Sequence, residues 1–164
     1  MYKLLTLLLL AAFVNVAMSG QDTVLQVFAD PKNRTHVVHK NGTTSIVVGE
    51  PEQIGIDSIQ IAEDGQTAGW LVLYENPDGG SPVAGTLILW RGGKTIRRIQ
   101  VSQTFWSWGF YERGEQVAYH VGPMHGEVLS HCELHDLARG RLVASWDGDL
   151  ENTNRPPWTK VLDH

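Results

Sequence analysis

One stretch of this chain occurs twice, and the repeat limits what the chain can fold into more than any other feature. Ile59-x-Ile61-Ala62-Glu63-Asp64-Gly65-Gln66-x-Ala68-x-Trp70 lines up with Trp108-x-Phe110-Tyr111-Glu112-Arg113-Gly114-Glu115-x-Val117-x-Tyr119, so that Gly65 and Gly114, and Trp70 and Tyr119, both lie 49 positions apart. After a variable loop each copy continues as an apolar run, a tight turn and a second run. The first copy has Thr86–Trp90, Gly92-Gly93 and Thr95–Ile99; the second has Cys132–Leu137, Ala138-Arg139-Gly140 and Arg141–Val143. A unit of this size cannot bury its apolar face alone and has to stack on a neighbour. A weaker echo, His36–His39, Asn41-Gly42-Thr43 and Ser45–Val48, reads as the outer half of a preceding unit. Arg155–Leu162 reads as the start of a following one.

The period inside each unit is that of strands. Past residue 20 no segment keeps a 3.6-residue apolar period for three turns, whereas short runs rich in Val, Ile, Leu, Thr and Trp recur at regular spacing. Strands are expected at Val24–Phe28, His36–His39, Ser45–Val48, Ser58–Ala62, Ala68–Glu75, Gly85–Trp90, Thr95–Val101, Trp106–Tyr111, Gln116–Val121, Glu127–Asp136 and Arg141–Trp146. Asn41-Gly42 and Gly92-Gly93 suit the positive φ angles of two-residue hairpin turns. Pro77-Asp78-Gly79-Gly80-Ser81-Pro82 can only be a loop. The chain is therefore all-β.

Four strands in a period near 49 are the pattern of a propeller blade. Ala62-Glu63-Asp64-Gly65-Gln66 and Tyr111-Glu112-Arg113-Gly114-Glu115, each with the strand and hairpin that follow, resemble the WD40-like repeat of the periplasmic TolB family, which carries a Ser-Pro-Asp-Gly-Lys type turn. The resemblance covers residues 57 to 146, with clearest copies at 57–101 and 106–146. Glu63 and Glu112 stand where the family has proline, and Arg113 where it has aspartate. Two full copies and two partial ones imply a partial propeller, either a small open β-stack or a ring completed by a homodimer.

Composition narrows the compartment and the partners. Lys3, the apolar run Leu4–Val14 and the small residues Ala17, Ser19 and Gly20 have the three-part order of a secretion signal. The run is shorter than the roughly 20 residues of a spanning helix. We read residues 1–19 as a leader cut after Ser19, and residues 20–164 as a single exported domain, periplasmic or extracellular, of bacterial type and with no membrane span. The net charge is −5 and only Arg97 and Arg98 are adjacent basic residues, so there is no basic face for nucleic acid. Cys132 is the one cysteine, which excludes an intramolecular disulfide and reads as a small buried apolar side chain.

Two clusters carry potential chemistry. Phe105–Tyr111 is the most aromatic stretch, and regular strand alternation would put Trp106, Trp108 and Phe110 on one face. Trp108 and Phe110 align with Ile59 and Ile61 and read as core positions, but Trp106 aligns with the polar Asp57. Trp106, with Trp108 and Tyr111 beside it, is the best candidate for an aromatic contact with a sugar ring or a peptide, core packing being the plainer reading. The second cluster spans His120 to Asp136 and holds four of the seven histidines, including His125. On a strand, His131, Glu133 and His135 share a face, a donor set for zinc or another divalent ion. The plainer reading of the same residues is a solvated outer face.

The turn carboxylates Glu63, Asp64, Glu112 and Glu115 read as turn hydrogen-bonding groups, not as a glycosidase pair, which would have to face across a cleft. No Gly-x-Ser-x-Gly elbow, phosphate loop or dinucleotide fingerprint occurs, and no catalytic residue or cofactor is assigned. The sequence thus points to an exported binding module for a protein or glycan partner. The alternative is a metal-dependent enzyme of hydrolytic type built on the His120–Asp136 region.

Overall fold

The computed structural model describes residues 23–124 and 130–163; the leader read at residues 1–19 and His125 lie outside the described residues. Among the described residues, eleven strands form three separate antiparallel sheets, each a meander in chain order. β1 (Val24–Ala29), β2 (Thr35–His39) and β3 (Thr44–Val47) make the first sheet. β4 (Gln53–Ile61), β5 (Thr67–Tyr74), β6 (Val83–Arg91) and β7 (Lys94–Gln100) make the second. β8 (Thr104–Tyr111), β9 (Gln116–Gly122), β10 (Ser130–Asp136) and β11 (Arg141–Gly148) make the third. Each copy of the repeat is thus one four-stranded meander. Among the described residues no helix is long and apolar enough to cross a membrane.

Local chemistry explains the hairpins. Gly92 and Gly93 turn the chain at φ of 58° and 84°, values that cost glycine little and other residues more. In the turn after β4, the Asp64 carboxylate accepts hydrogen bonds from the Gln66 and Thr67 amides and the Thr67 hydroxyl, and Arg91 reaches it from β6. The segment Arg155–Leu162 departs from expectation. It starts no strand; Pro157–Leu162 is a 3-10 helix. Pro156 and Pro157 have fixed φ and no amide hydrogens, and so are poor members of a ladder.

The sheets stack through two apolar layers. Val24, Val27 and Val37 of the first sheet meet Trp70, Val72, Ile88 and Trp90 of the second. The second sheet's other face, with Leu71, Leu87 and Leu89, meets Phe105, Trp108 and Tyr119 of the third. β5 and β6 are thus covered on both sides, which is why they read as unbroken apolar runs. The outer face of the third sheet is closed by the 3-10 helix, whose Trp158 and Leu162 cover Cys132 and Leu134.

Trp108 fixes how the second and third sheets meet. Its indole N–H donates to the Ser58 carbonyl at 2.9 Å, and the Gln60 amide donates to the Trp108 carbonyl at 2.6 Å. The ring lies over Gly69, where an added Cβ would come within 2.5 Å of the indole and 2.8 Å of Leu89. The repeat partners of Trp108 and Phe110 behave differently: Ile59 and Ile61 are 41% and 39% exposed, not core residues. Gly69→Ala is expected to overpack this junction and cost about 1–3 kcal/mol, read as a shifted urea midpoint with unchanged slope. A midpoint equal to that of the parent chain would show that the junction has room the geometry denies it.

Candidate functional site

β8 does not alternate regularly. Phe105 pairs with Val121 and Ser107 with His120, so Trp106 is an extra residue, a β-bulge. The bulge turns both Phe105 and Trp108 into the core, Phe105 edge-on to Tyr119 at 5.4 Å. Trp106 faces outward and is 50% exposed. The expected common face of Trp106, Trp108 and Phe110 is therefore corrected: one inserted residue shifts the period between positions 105 and 107. β4 carries its own irregularity between Asp57 and Gln60, at the matching place in the repeat.

Trp106 and its repeat partner Asp57 line one cleft of about 410 Å³ between the second and third sheets. Leu71, Leu73 and Phe105 supply apolar surface; Ser58, Asn76, Ser81 and Thr104 supply hydroxyl and amide groups; Met124 lies at the margin. The Pro77–Pro82 loop brings Gly79 to Pro82 to the same wall. An exposed indole beside several neutral hydrogen-bonding groups suits a ligand with one flat apolar face and a polar rim.

The other two aromatics are elsewhere. Trp108 is 1% exposed and its N–H is taken by Ser58, so it is a core residue and not a ligand contact. Tyr111 packs with the cluster under the 3-10 helix, on the far side of the third sheet. The three do not form one platform.

The histidine cluster is a hydrogen-bonded line. Glu133 takes His131 Nε2 on one carboxylate oxygen at 3.1 Å and His135 Nε2 on the other at 2.7 Å. The Tyr119 hydroxyl donates to the oxygen that His135 uses. A carboxylate only accepts, so both imidazoles present N–H to it. His131 Nδ1 is also 2.6 Å from Asp147, and with carboxylates at both nitrogens the imidazolium form is favoured. The bond to Asp147, then the one to Glu133, raises the His131 pKa. Burial alone would raise the Glu133 carboxyl, but hydrogen bonds from Tyr119, His135 and His131 outweigh it and hold the pKa at about 2. Burial and the adjacent carboxylate push the Tyr119 phenol above its ordinary value.

The two imidazoles reach different carboxylate oxygens, so the expected donor set does not close around a point. Among the described residues no group of three His, Cys, Asp or Glu side chains is arranged to hold a metal ion. The wider His120–Asp136 region is also divided. His120 lies opposite Cys132 in the ladder, with its pKa lowered by burial. Cys132 is fully buried, its thiol pushed by burial up to about 11. Asp136 is bound by the Arg139 amide and guanidinium in the hairpin turn. Sequence reading missed Tyr119 and Asp147, which stand directly opposite Glu133 and His131 on β9 and β11. The hairpin closes with Asp136 opposite Arg141, and a bulge between Leu134 and His135 then brings Asp147 opposite His131, an irregularity that no residue pattern announced.

No family model matches the chain, and no curated protein matches it. Among solved structures, hydrazine synthase of Kuenenia stuttgartiensis is similar at a TM-score of 0.36 and 11% identity, over 77% of this chain and 49% of that one. The chain thus spans about half the length of that neighbour, and so distant a likeness carries no conclusion about activity.

The signs of the two titrations differ. The Glu133 contribution is present above the ordinary carboxyl pKa and lost as pH falls toward 2; the His131 contribution is present below the ordinary imidazole pKa and lost as pH rises through its raised value. Glu133→Gln is expected to cost about 2 kcal/mol at pH 7, and the gap to the parent chain should close between pH 5 and pH 2. A gap that stays constant over that range, in denaturation at stepped pH, would show that the carboxylate charge is not what holds the line together.

Proposed function

We propose that the protein is an exported binding module made of blade-like β repeats of the TolB-like, WD40-like kind, and that it recognises a glycan or protein partner at the cleft beside Trp106. The observation that carries the reading is the half-exposed indole, held outward by a β-bulge against a wall of neutral hydrogen-bonding groups. A large aromatic left open to solvent on a rigid strand loses little conformational entropy on binding, which is why such residues dominate recognition surfaces. The blade part of the reading is supported by the 49-residue repeat and by the four-stranded meander that each copy forms. Export is supported by the order of residues 1–20.

Neutral oligosaccharides are the favoured ligand class, because the polar side chains that line the cleft with Trp106 are hydroxyls and an amide, Ser58, Asn76, Ser81 and Thr104, with Asp57 the one carboxylate among the described residues that line it. Titration calorimetry of residues 20–164 against neutral oligosaccharides is expected to show saturable binding that Trp106→Ala weakens at least tenfold, about 1.4 kcal/mol. The side chain is outside the core, so the thermal midpoint should not move. Binding unchanged in Trp106→Ala would place recognition elsewhere; binding of a protein ligand alone, lost in the same variant, would keep the cleft and change the ligand class.

A further inference from the structure

We infer that Tyr119, Glu133 and His135 together bind one octahedral metal ion, and that ferric iron is the ion they suit. Strand register brings the three side chains to one place. Tyr119 on β9 stands directly opposite Glu133 on β10, and His135 lies two residues further along β10, on the same face. Same-face neighbours on a strand start roughly 6.5–7 Å apart, too far for their tips to meet unless one side chain leans toward the other. The His135 ring leans because it stacks on the Tyr119 ring, with centroids 5.3 Å apart and planes at 22°. Phenol and imidazole then point at the same carboxylate oxygen. His135 Nε2 is 2.7 Å from Glu133 Oε2 and 3.0 Å from Tyr119 Oη, and the Tyr119 hydroxyl donates to Glu133 Oε2. One nitrogen and two oxygens thus form a closed triangle, which the pairing of His131 with Glu133 and His135 does not.

Hydrogen bonds alone do not complete the triangle. The phenol carries one hydrogen and Nε2 one, and the carboxylate oxygen takes both. Tyr119 Oη and His135 Nε2 are left 3.0 Å apart with no hydrogen between them. An ion shared by all three atoms removes that mismatch. Ligand atoms at right angles on an ion roughly 2.1 Å away lie about 3.0 Å apart, the octahedral spacing, against about 3.4 Å around tetrahedral zinc. Three ligands on one face leave three positions open, the arrangement non-haem iron takes with two imidazoles and a carboxylate. Here a phenolate stands in place of one imidazole, and its hard, negatively charged oxygen favours the trivalent ion. Binding breaks the Tyr119 O–H bond and releases that proton to solvent, while the His135 hydrogen passes to Nδ1 so that Nε2 can offer its lone pair.

The surroundings hold the three ligands in place and leave a way in. The other oxygen of Glu133 takes His131 Nε2 at 3.1 Å, and His131 Nδ1 is 2.6 Å from Asp147. His131 and Asp147 therefore orient the carboxylate from behind, as hydrogen-bonded groups do around metal ligands. Tyr119 is buried and edge-on to Phe105, which fixes the phenol. The side chains of His135 and Glu133 are 21% and 25% exposed, so an ion reaches the triangle from solvent. His135 also lines a cavity of about 320 Å³ with Arg97, Ile99, Gln100 and Leu137, space for water or a small anion beside the ion. The Trp106 cleft shares none of the three ligands, and this inference is independent of it.

The test loads the purified protein with ferric nitrilotriacetate and removes the excess by desalting. About one iron per chain is expected by elemental analysis, together with a visible phenolate-to-iron charge-transfer band. Tyr119→Phe removes one oxygen and keeps the ring; it should abolish the band and weaken iron binding at least tenfold, while an unchanged near-ultraviolet circular dichroism spectrum shows that the core stays packed. Glu133→Gln and His135→Gln should each weaken binding by a similar factor, and Tyr111→Phe and Trp106→Ala should leave band and affinity unchanged. A protein that retains no iron, or a band of parent intensity in Tyr119→Phe, overturns the proposal. Retention of zinc in place of iron overturns it as well, because a tetrahedral ion does not match the spacing of the three atoms.

Discussion

A sheet that is apolar on both faces must be enclosed, and the second sheet is in that position. Trp70, Val72, Ile88 and Trp90 on one side and Leu71, Leu87 and Leu89 on the other are buried under different neighbours. Neither the first nor the third sheet needs to be stable alone, because each is ordered by the face it covers. The indole of Trp108 and the amide of Gln60 set the registry of one contact; Val24 and the Asn33–Gln53 pair set that of the other. The cleft at Trp106 is a product of this stacking, formed where two first strands, β4 and β8, lie together.

Much of this was legible in the residues. Strand positions follow from a period of two and from turn residues a few positions apart, which are local signals, and the strand expectations agree with the sheets to within a few residues at most ends. The repeat foretold two equivalent meanders. It also carried an error, because Trp108 and Phe110 were read as core positions from their alignment with Ile59 and Ile61, and those two isoleucines are themselves exposed. Burial depends on what lies opposite, which a repeat alignment does not contain.

The candidate site was legible only in part, for a related reason. A single bulge residue reverses the face of everything beyond it, so Trp106 was rightly set apart by its alignment with Asp57 but wrongly grouped with Trp108. His131, Glu133 and His135 do share a face, as alternation requires. Their partners Tyr119 and Asp147 come from register across two neighbouring strands, which the residues on β10 do not encode. The Arg155–Leu162 segment has strand-like composition, and the paired prolines ahead of it give the backbone a different course.

The 3-10 helix over Pro157–Leu162 does more than close a hydrophobic face. It seals the chain's single thiol under Trp158 and Leu162, on an inner strand of the third sheet. Loosening that short segment would uncover a lone sulfhydryl with no partner in its own chain, so crosslinked dimers become a chemical record of incomplete folding. The short helix thereby makes the thiol's covalent fate depend on its own packing.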